Sequence, residues 1–414
     1  MSRTIPAGPD RRLAPRPLPA HLLSATLLWL SSRAALTGLS AGSPLSNAAA
    51  EPLQSLAREL AREAERLGPD RIAAALDREL LQRAGDFAAG LEAYRCHPYR
   101  RIGDTAPVAW QDGNVRLLDY GSGADGPAVL IVPSLINRYY VLDLLPEQSF
   151  LRHLAEAGFR PFVIDWDEPG EAERDFTLSD YIAGPLDRAL TEVRALAGGQ
   201  VAIVGYCMGG LLALALALRR PSDTAGLALL ATPWDFHAER PAQAQLLGEL
   251  GNWLPRFLAP GEPFPLSVIQ FLFLVLDPFL AERKFIRFGT LDPDGAAARA
   301  FVALEDWIND GVPLAHNVAI ECLRLWYGAN APERGEWQVG GQAIRPQDVD
   351  VPALVVLPRR DRIVPPRSAM PLAAAIPHAE LLRPPFGHIG MMASADAPAT
   401  VWQPIGDWLR TQLT

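Results

Sequence analysis

Hydrophobic residues follow two different patterns along this chain. The patterns divide it into a helical N-terminal part and an α/β part. Between residues 21 and 95 apolar side chains follow helical spacing, with Arg and Glu on the opposite face. The clearest stretch of that spacing is Leu53, Leu56, Leu60, Ala64 and Leu67. From about residue 107 short apolar runs alternate with helical segments such as 147–157 and 180–197. This alternation predicts an α/β fold built on a mostly parallel, doubly wound sheet.

Seven short apolar runs predict the strands of that sheet. They are residues 115–119, 128–132, 161–165, 201–204, 226–231, 353–357 and 380–383. We take the run 226–231 as the sixth strand of the fold. After it, between about 233 and 345, strands and helices no longer alternate, and aromatic residues and prolines are frequent. We expect an insertion there that forms a lid over the active site and excludes water.

These patterns predict three parts of the chain. Residues 1–20, rich in Pro and Arg, form a disordered tail, and residues 21–106 form a helical N-terminal extension. Residues 107–414 form the α/β domain, which includes the lid insertion at about 233–345. The N-terminal extension is either packed against the rest of the protein or a surface that binds a partner.

Composition narrows the class of protein. Hydrophobic residues make up 49% of the 414 residues, which is typical of a globular protein, and the net charge of −9 disfavours nucleic acid as a partner. The three cysteines are too widely spaced for a disulfide framework or a zinc site. We therefore expect no metal, and a reducing compartment, the cytoplasm, suits a free thiol.

Two apolar runs raise the question of membrane insertion or secretion. Residues 22–30 could form the core of a signal peptide, but the run is short and is followed by Ser31, Ser32 and Arg33. Residues 266–279 contain Gln270 and Asp277 and fall short of the ~20 residues that a membrane span needs. We expect neither a transmembrane helix nor secretion.

The most informative motif is Gly205-Tyr206-Cys207-Met208-Gly209, a nucleophile elbow with cysteine in place of serine. A predicted strand precedes it and a helical run follows, which is the context that the motif requires. The glycines permit a tight turn that lifts Cys207 above the sheet, and the start of the helix favours a thiolate. The competing interpretation is that Cys207 is only a small buried hydrophobic residue.

A thiol nucleophile needs a base, and the base needs an acid that orients it. In α/β-hydrolases the chain order is nucleophile, acid, histidine. Asp361 and His388 follow predicted strands in that order, so both lie at the carboxyl ends of strands, where active sites of open α/β sheets form. We therefore predict a catalytic triad of Cys207, Asp361 and His388.

Other residues compete for two of the three roles. The alternative acid is Asp235, which follows the predicted strand 226–231, and the alternative bases are His237 and His316. For the oxyanion hole we predict the backbone N–H of Met208 and one donor from the loop that follows the strand 128–132. Leu135 and Ile136 are the candidates for that second donor.

With these residues identified, the chain resembles the polyhydroxyalkanoate synthases, cysteine-nucleophile members of the α/β-hydrolase superfamily. Residues 132–144 are similar to the block Pro-Pro-x-Ile-Asn-Lys-x-Tyr-Ile-Leu-Asp-Leu of that family, and residues 205–210 are similar to its elbow. Residues 179–182 resemble its Asp-Asp-Tyr-Ile. Residues 361–365 resemble its Asp-His-Ile-Val-Pro, and residues 387–389 its Gly-His-Ile.

The resemblance implies an acyltransferase that polymerises 3-hydroxyacyl-coenzyme A into polyhydroxyalkanoate and releases coenzyme A. Coenzyme A then enters as part of the thioester substrate, and no metal or redox cofactor is implied. The resemblance also implies a cytoplasmic enzyme that associates with polymer granules and works as a homodimer or with a second subunit.

Departures from the family pattern keep other functions open. Arg362 follows Asp361 where the family has His, and Gly390-Met391-Met392 follows the Gly-His-Ile motif in place of the family's continuation. A thioesterase, an esterase or a polyhydroxyalkanoate depolymerase could use the same triad. A third hypothesis is a granule-binding or partner-binding protein without enzymatic activity, and the intact triad disfavours it.

Overall fold

The chain divides into two compact units. The computed structural model describes residue 12 and residues 15–40, 51–102, 106–121 and 126–413, so most of the predicted tail at 1–20 lies outside the described residues. The first unit spans residues 1–100 and 270–305, and the second spans residues 101–269 and 306–414. Residues 270–305 belong to the predicted insertion by sequence, but the structure groups them with the N-terminal helices.

The second unit is built on an eight-stranded sheet with the order β1-β2-β4-β3-β5-β6-β7-β8. β2 runs antiparallel to both of its neighbours, and all other adjacent pairs are parallel. The strands are β1 Val108–Asp112, β2 Val115–Asp119, β3 Ala128–Val132, β4 Arg160–Asp165, β5 Val201–Tyr206, β6 Thr224–Leu230, β7 Ala353–Val356 and β8 Glu380–Leu382. The predicted mostly parallel sheet is therefore confirmed.

The described residues form fifteen α-helices. In the described N-terminal part they are α1 Leu18–Ser40, α2 Glu51–Leu67 and α3 Pro69–Cys96. Among the strands β3 to β6 they are α4 Phe150–Glu156, α5 Leu178–Tyr181, α6 Asp187–Ala197 and α7 Met208–Arg219. Between β6 and β7 they are α8 Pro241–Trp253, α9 Leu266–Leu276, α10 Leu280–Phe288, α11 Ala296–Asn309 and α12 His316–Glu321. The last are α13 Pro366–Ala375, α14 Gly390–Ala393 and α15 Gln403–Leu413.

The core of the second unit lies on the central strands, because their side chains are apolar without interruption. Every residue of β3 and β5 is buried, and α4, α6, α7 and α15 pack against the strands around them. Continuous burial of this kind is typical of parallel strands that helices cover. β1, the strand of this sheet that the apolar runs do not predict, is an edge strand with mostly exposed residues, so it shows no continuous apolar run.

The first unit has a core of its own, which is rich in phenylalanine. Phe87 and Tyr94 of α3 contact Phe285 of α10, with ring centroids 6.4 and 5.4 Å apart. A Cβ atom added at Gly90 would lie 2.0 Å from the carbonyl oxygen of Phe285, so α3 and α10 pack against each other at backbone distance. Side chains more than 180 residues apart in the chain therefore make up this core. Among the described residues, no helix combines the length and the apolar character that crossing a membrane requires.

Candidate active site

The turn between β5 and α7 presents Cys207 as the predicted elbow requires. Cys207 has φ +57° and ψ −127°, a backbone conformation that L-residues rarely adopt outside special turns. Its N–H donates to the carbonyl oxygen of Leu230 at 2.8 Å, which fixes the turn to the end of β6. Met208 is the first residue of α7, and the first N–H groups of a helix have no acceptor within it. The half-buried sulfur thus stands at the positive end of the helix.

Two glycines allow this turn because neighbouring backbone leaves no room for a side chain. A Cβ atom added at Gly209 would lie 2.1 Å from the carbonyl oxygen of Val132 and 2.5 Å from that of Pro133. A Cβ atom added at Gly205 would lie 2.5 Å from Cα of Gly210. The glycines of the motif therefore bring the start of α7 into contact with the loop after β3.

Asp361 and His388 form a hydrogen-bonded pair at the ends of β7 and β8. His388 Nδ1 lies 2.7 Å from Asp361 Oδ2, and both side chains are buried. The other carboxylate oxygen of Asp361, Oδ1, accepts from the backbone N–H groups of Ile363 and Val364, each at 2.8 Å. These two bonds fix the carboxylate, and the carboxylate in turn fixes the ring of His388.

The same ring interacts with Cys207. Burial lowers the pKa of His388, but the charges of Cys207 and Asp361 and the hydrogen bonds to both outweigh burial and raise it from 6.5 to about 10. Because Nδ1 faces Asp361, the Nε2 atom of His388 is the one available to Cys207. The structure therefore brings the three predicted triad residues together in the order nucleophile, base, acid.

A tyrosine of the elbow motif itself lies against His388. The ring of Tyr206 lies 5.3 Å from the ring of His388, and its hydroxyl donates to the His388 carbonyl oxygen at 3.2 Å. In the insertion, burial, and then the charges of Cys322 and Cys207, raise the pKa of Tyr327. The sequence places Tyr206 in the elbow motif, but it does not reveal the contact of this side chain with His388.

The loop that follows β3, residues 133–137, lies against the elbow through the contact with Gly209. Trp166 Nε1 donates to the carbonyl oxygen of Pro133 at 2.9 Å, and the N–H of Ile136 donates to Ser134 Oγ at 3.1 Å. Of the two predicted second donors of the oxyanion hole, Ile136 thus already has an acceptor within the loop. This bond favours Leu135, and the assignment of the donor stays a prediction.

The alternative acid and bases have other partners. Asp235 Oδ1 accepts from the N–H of His237 at 2.8 Å and from Asn330 Nδ2 at 2.9 Å. His237 Nε2 lies 2.6 Å from the carbonyl oxygen of Tyr327, and His316 Nδ1 lies 3.3 Å from that of Glu262. These contacts give all three residues structural roles in the insertion. The described part of the chain contains no group of three or more His, Cys, Asp or Glu residues arranged to hold a metal ion.

Comparison with known proteins agrees with this architecture. The model of a protein family described as alpha/beta hydrolase fold matches residues 127–395. The solved structure of BpoC from Mycobacterium tuberculosis H37Rv superposes with a TM-score of 0.50 at 15% identity, over 76% of this chain and 100% of that one. At that identity the likeness shows the fold alone. The fold and the site thus define an α/β-hydrolase with cysteine at the elbow.

Relatives by sequence narrow the family further. The chain is 30% identical to the poly(3-hydroxyalkanoate) polymerase subunit PhaC of Allochromatium vinosum, over 68% of this chain and 80% of the relative. It is 27% identical to the subunit of the same name from Haloferax mediterranei, over 73% of this chain. The chain belongs to the poly(3-hydroxyalkanoate) polymerase family of α/β-hydrolase proteins. The match spans 63% of the length of the Haloferax relative.

Proposed function

We propose that this protein is an acyltransferase that joins 3-hydroxyacyl units from coenzyme A thioesters into polyhydroxyalkanoate. The observation that carries the proposal is Cys207 on a strained elbow, beside a histidine that a buried carboxylate orients. The relatives are named poly(3-hydroxyalkanoate) polymerase subunits, which supports this polymer as the product, and the site has groups suited to acyl transfer. A thiolate suits this reaction because it exchanges one thioester for another at nearly balanced free energy.

In the acylation step, Cys207 Sγ attacks the thioester carbonyl carbon of the bound hydroxyacyl-coenzyme A. His388 Nε2 holds the proton that leaves Cys207, and the raised pKa of the ring supports this role. The N–H of Met208, together with one from the loop after β3, stabilises the negative oxygen of the tetrahedral intermediate. The carbon–sulfur bond to coenzyme A then breaks, and the proton passes from Nε2 to the departing sulfur.

In the transfer step, the hydroxyl of a second 3-hydroxyacyl unit attacks the carbonyl carbon of acyl-Cys207. His388 Nε2 accepts the hydroxyl proton as the new carbon–oxygen bond forms, and Cys207 leaves as the thiolate. Asp361 orients the ring and stabilises its charged form in both steps. Water would compete with the hydroxyl, so we propose that the insertion between β6 and β7 acts as the predicted lid.

The second candidate is a hydrolase that uses the same triad. It is favoured by the side chain of Cys207, which is only half-buried, so water can reach the position of the acyl group. A thioesterase, an esterase or a depolymerase would release free hydroxy acid in place of a longer chain. The chemistry up to acyl-Cys207 is common to both candidates.

We also propose the setting in which the enzyme works. The reaction uses coenzyme A thioesters and leaves an insoluble product, so a cytoplasmic enzyme bound to the surface of a polymer granule fits both the substrate and the product. A homodimer or a complex with a second subunit is part of the same proposal. The word subunit in the names of the relatives supports it.

The test is to incubate the purified protein with 3-hydroxybutyryl-coenzyme A and longer homologues, to follow thiol release, and to analyse the product. We expect thiol release together with ester-linked oligomers or polymer. Thiol release with only free 3-hydroxy acid would establish the hydrolase instead. If no substrate in the series released thiol, even with a candidate second subunit added, the proposed function would be wrong.

A further inference from the structure

The loop that carries the predicted second oxyanion donor is held in place by the chain segment that follows α11. The carbonyl oxygen of Ile136 accepts from the N–H of Val312 at 3.2 Å, and Asn137 forms an isolated antiparallel bridge with Gly311. A Cβ atom added at Gly311 would lie 3.1 Å from Asn137 Oδ1, so the two segments are in close contact. The segment 311–312 therefore sets the position of the second half of the loop.

Asp310, directly before this segment, connects it to the chain that continues from the loop. Its carboxylate accepts from Arg138 Nε at 3.2 Å and from the hydroxyl of Tyr140 at 2.7 Å. Trp307 Nε1 adds a bond to the carbonyl oxygen of Arg138 at 2.7 Å. We call Asp310, Arg138 and Tyr140 the Asp310 cluster.

The acidic partners of Arg138 come from two different parts of the chain. Arg138 also contacts Asp167 at 3.0 Å and Glu168 at 3.4 Å, so it keeps ionic partners without Asp310. Asp310 comes from the insertion, whereas Asp167 and Glu168 follow β4. Loss of the Asp310 carboxylate would therefore weaken the attachment of the segment 311–312, which would keep only its backbone bonds to the loop, while Arg138 stays anchored.

We propose that Asp310 is a positioning residue for acyl transfer, which holds the loop after β3 so that its N–H points at the oxyanion. This inference rests on the proposed nucleophile role of Cys207 and extends the site to a residue that never touches the substrate. Preorganised oxyanion donors act only when they are held at the place where charge develops. A loop that is free to move supplies the same N–H with poorer geometry.

The test compares the variants Asp310→Ala and Tyr140→Phe with the control Glu168→Gln, which removes another carboxylate partner of Arg138. The probe is p-nitrophenyl 3-hydroxybutyrate, whose ester carbonyl is attacked by Cys207 Sγ with release of nitrophenolate and transfer of the thiol proton to His388. We expect acylation in Asp310→Ala to be about 10- to 100-fold slower with KM within about twofold, since loss of a whole oxyanion donor costs roughly 10²–10³-fold. Tyr140→Phe should show a smaller loss, and Glu168→Gln should stay within about twofold of the wild type.

A second readout separates positioning from general damage to the site. Iodoacetamide alkylates a thiolate without forming an oxyanion, so its rate on the peptide that contains Cys207 should be unchanged in Asp310→Ala. Equal losses in alkylation and acylation, or unchanged acylation, would overturn the proposal. If the wild type is acylated by the nitrophenyl ester but forms no polymer, the polymerase function fails while the role of Asp310 is still tested. A wild-type protein that releases no nitrophenolate would contradict both.

Discussion

The elbow after β5 and the segment 322–328 of the insertion each contain a cysteine, and their surroundings give the two thiols opposite characters. Cys207 is half-buried at the start of α7, in a strained turn and within reach of His388. Cys322 is buried in a π-helical segment, where burial, and then the charge of Glu321, raise the pKa of its thiol. The residue type is the same in both places, so the backbone turn and the neighbouring base make Cys207 the candidate nucleophile.

Replacing each cysteine in turn should give the largest difference between the two regions. Cys207→Ser should reduce thiol release from hydroxyacyl-coenzyme A by at least about 10²-fold, because an alkoxide needs a stronger base than a thiolate. Cys322→Ala should keep thiol release within about twofold. Steady-state assays on the two variants measure this contrast. Similar losses in both would show that Cys207 is not distinguished from Cys322 as the nucleophile.

The acid of the triad should be the next most sensitive position. In Asp361→Asn the side-chain oxygen would keep the bonds from Ile363 and Val364, which turns the amide nitrogen toward His388 Nδ1. The ring would then carry its proton on Nε2, the wrong tautomer for a base toward Cys207, and kcat should fall by roughly 10²–10⁴-fold. Thermal unfolding serves as the control for the fold, and a variant with near-normal kcat would rule out Asp361 as the orienting acid.

Adding a side chain at Gly209 should have a smaller effect, which falls on both the stability of the protein and the rate of acylation. Gly209→Ala would place a Cβ atom against the carbonyl oxygens of Val132 and Pro133, so we expect a loss of about 1–3 kcal/mol in the free energy of unfolding and slower acylation. Gly199→Ala is the matched control, because a Cβ atom there meets nothing within 4 Å. Urea unfolding of both variants measures the difference, and equal stabilities would show that the elbow does not depend on this close approach.

The ionic coupling at the elbow should appear in the titration of His388. Its pKa is raised from 6.5 to about 10, so the charged ring stabilises the folded protein fully below 6.5, and this contribution is lost as the pH rises through about 10. Cys207→Ala removes one of the raising charges and one hydrogen bond, so the pKa of His388 should fall in that variant. NMR titration of the ring tests this, and an unchanged pKa would show that Cys207 does not influence the protonation of His388.

The sheet, and the meeting of Cys207, Asp361 and His388 at one end of it, could be predicted from sequence because each depends on local patterns, whereas the catalytic roles of the three residues stay a prediction. Apolar runs marked seven of the eight strands of the large sheet, and Cys207, Asp361 and His388 each lie in a short motif shortly after a strand. β1 was missed because an exposed edge strand has little apolar signal. Local patterns were thus sufficient to predict a strand wherever its side chains are buried without interruption.

The insertion could not be predicted in the same way, because long-range contacts define it. Residues 270–305 group with the N-terminal helices through aromatic side chains that look like ordinary helix-face residues in the sequence. In the sequence Asp310 looks like an ordinary surface residue. In the structure it lies beside Arg138, 172 positions earlier in the chain. Contacts over such separations carry no periodic or motif signal, so only the folded chain reveals them.

The most direct test of the account is to locate the acyl group on the enzyme. The protein is mixed with 3-hydroxybutyryl-coenzyme A, quenched in acid within the first turnovers, digested, and analysed by mass spectrometry. We predict a thioester-linked 3-hydroxybutyryl group, or a short oligomer of it, on the peptide that contains Cys207, with Cys322 unmodified and no adduct in Cys207→Ala. An adduct at another residue, or turnover of substrate by Cys207→Ala, would contradict the central role of this cysteine.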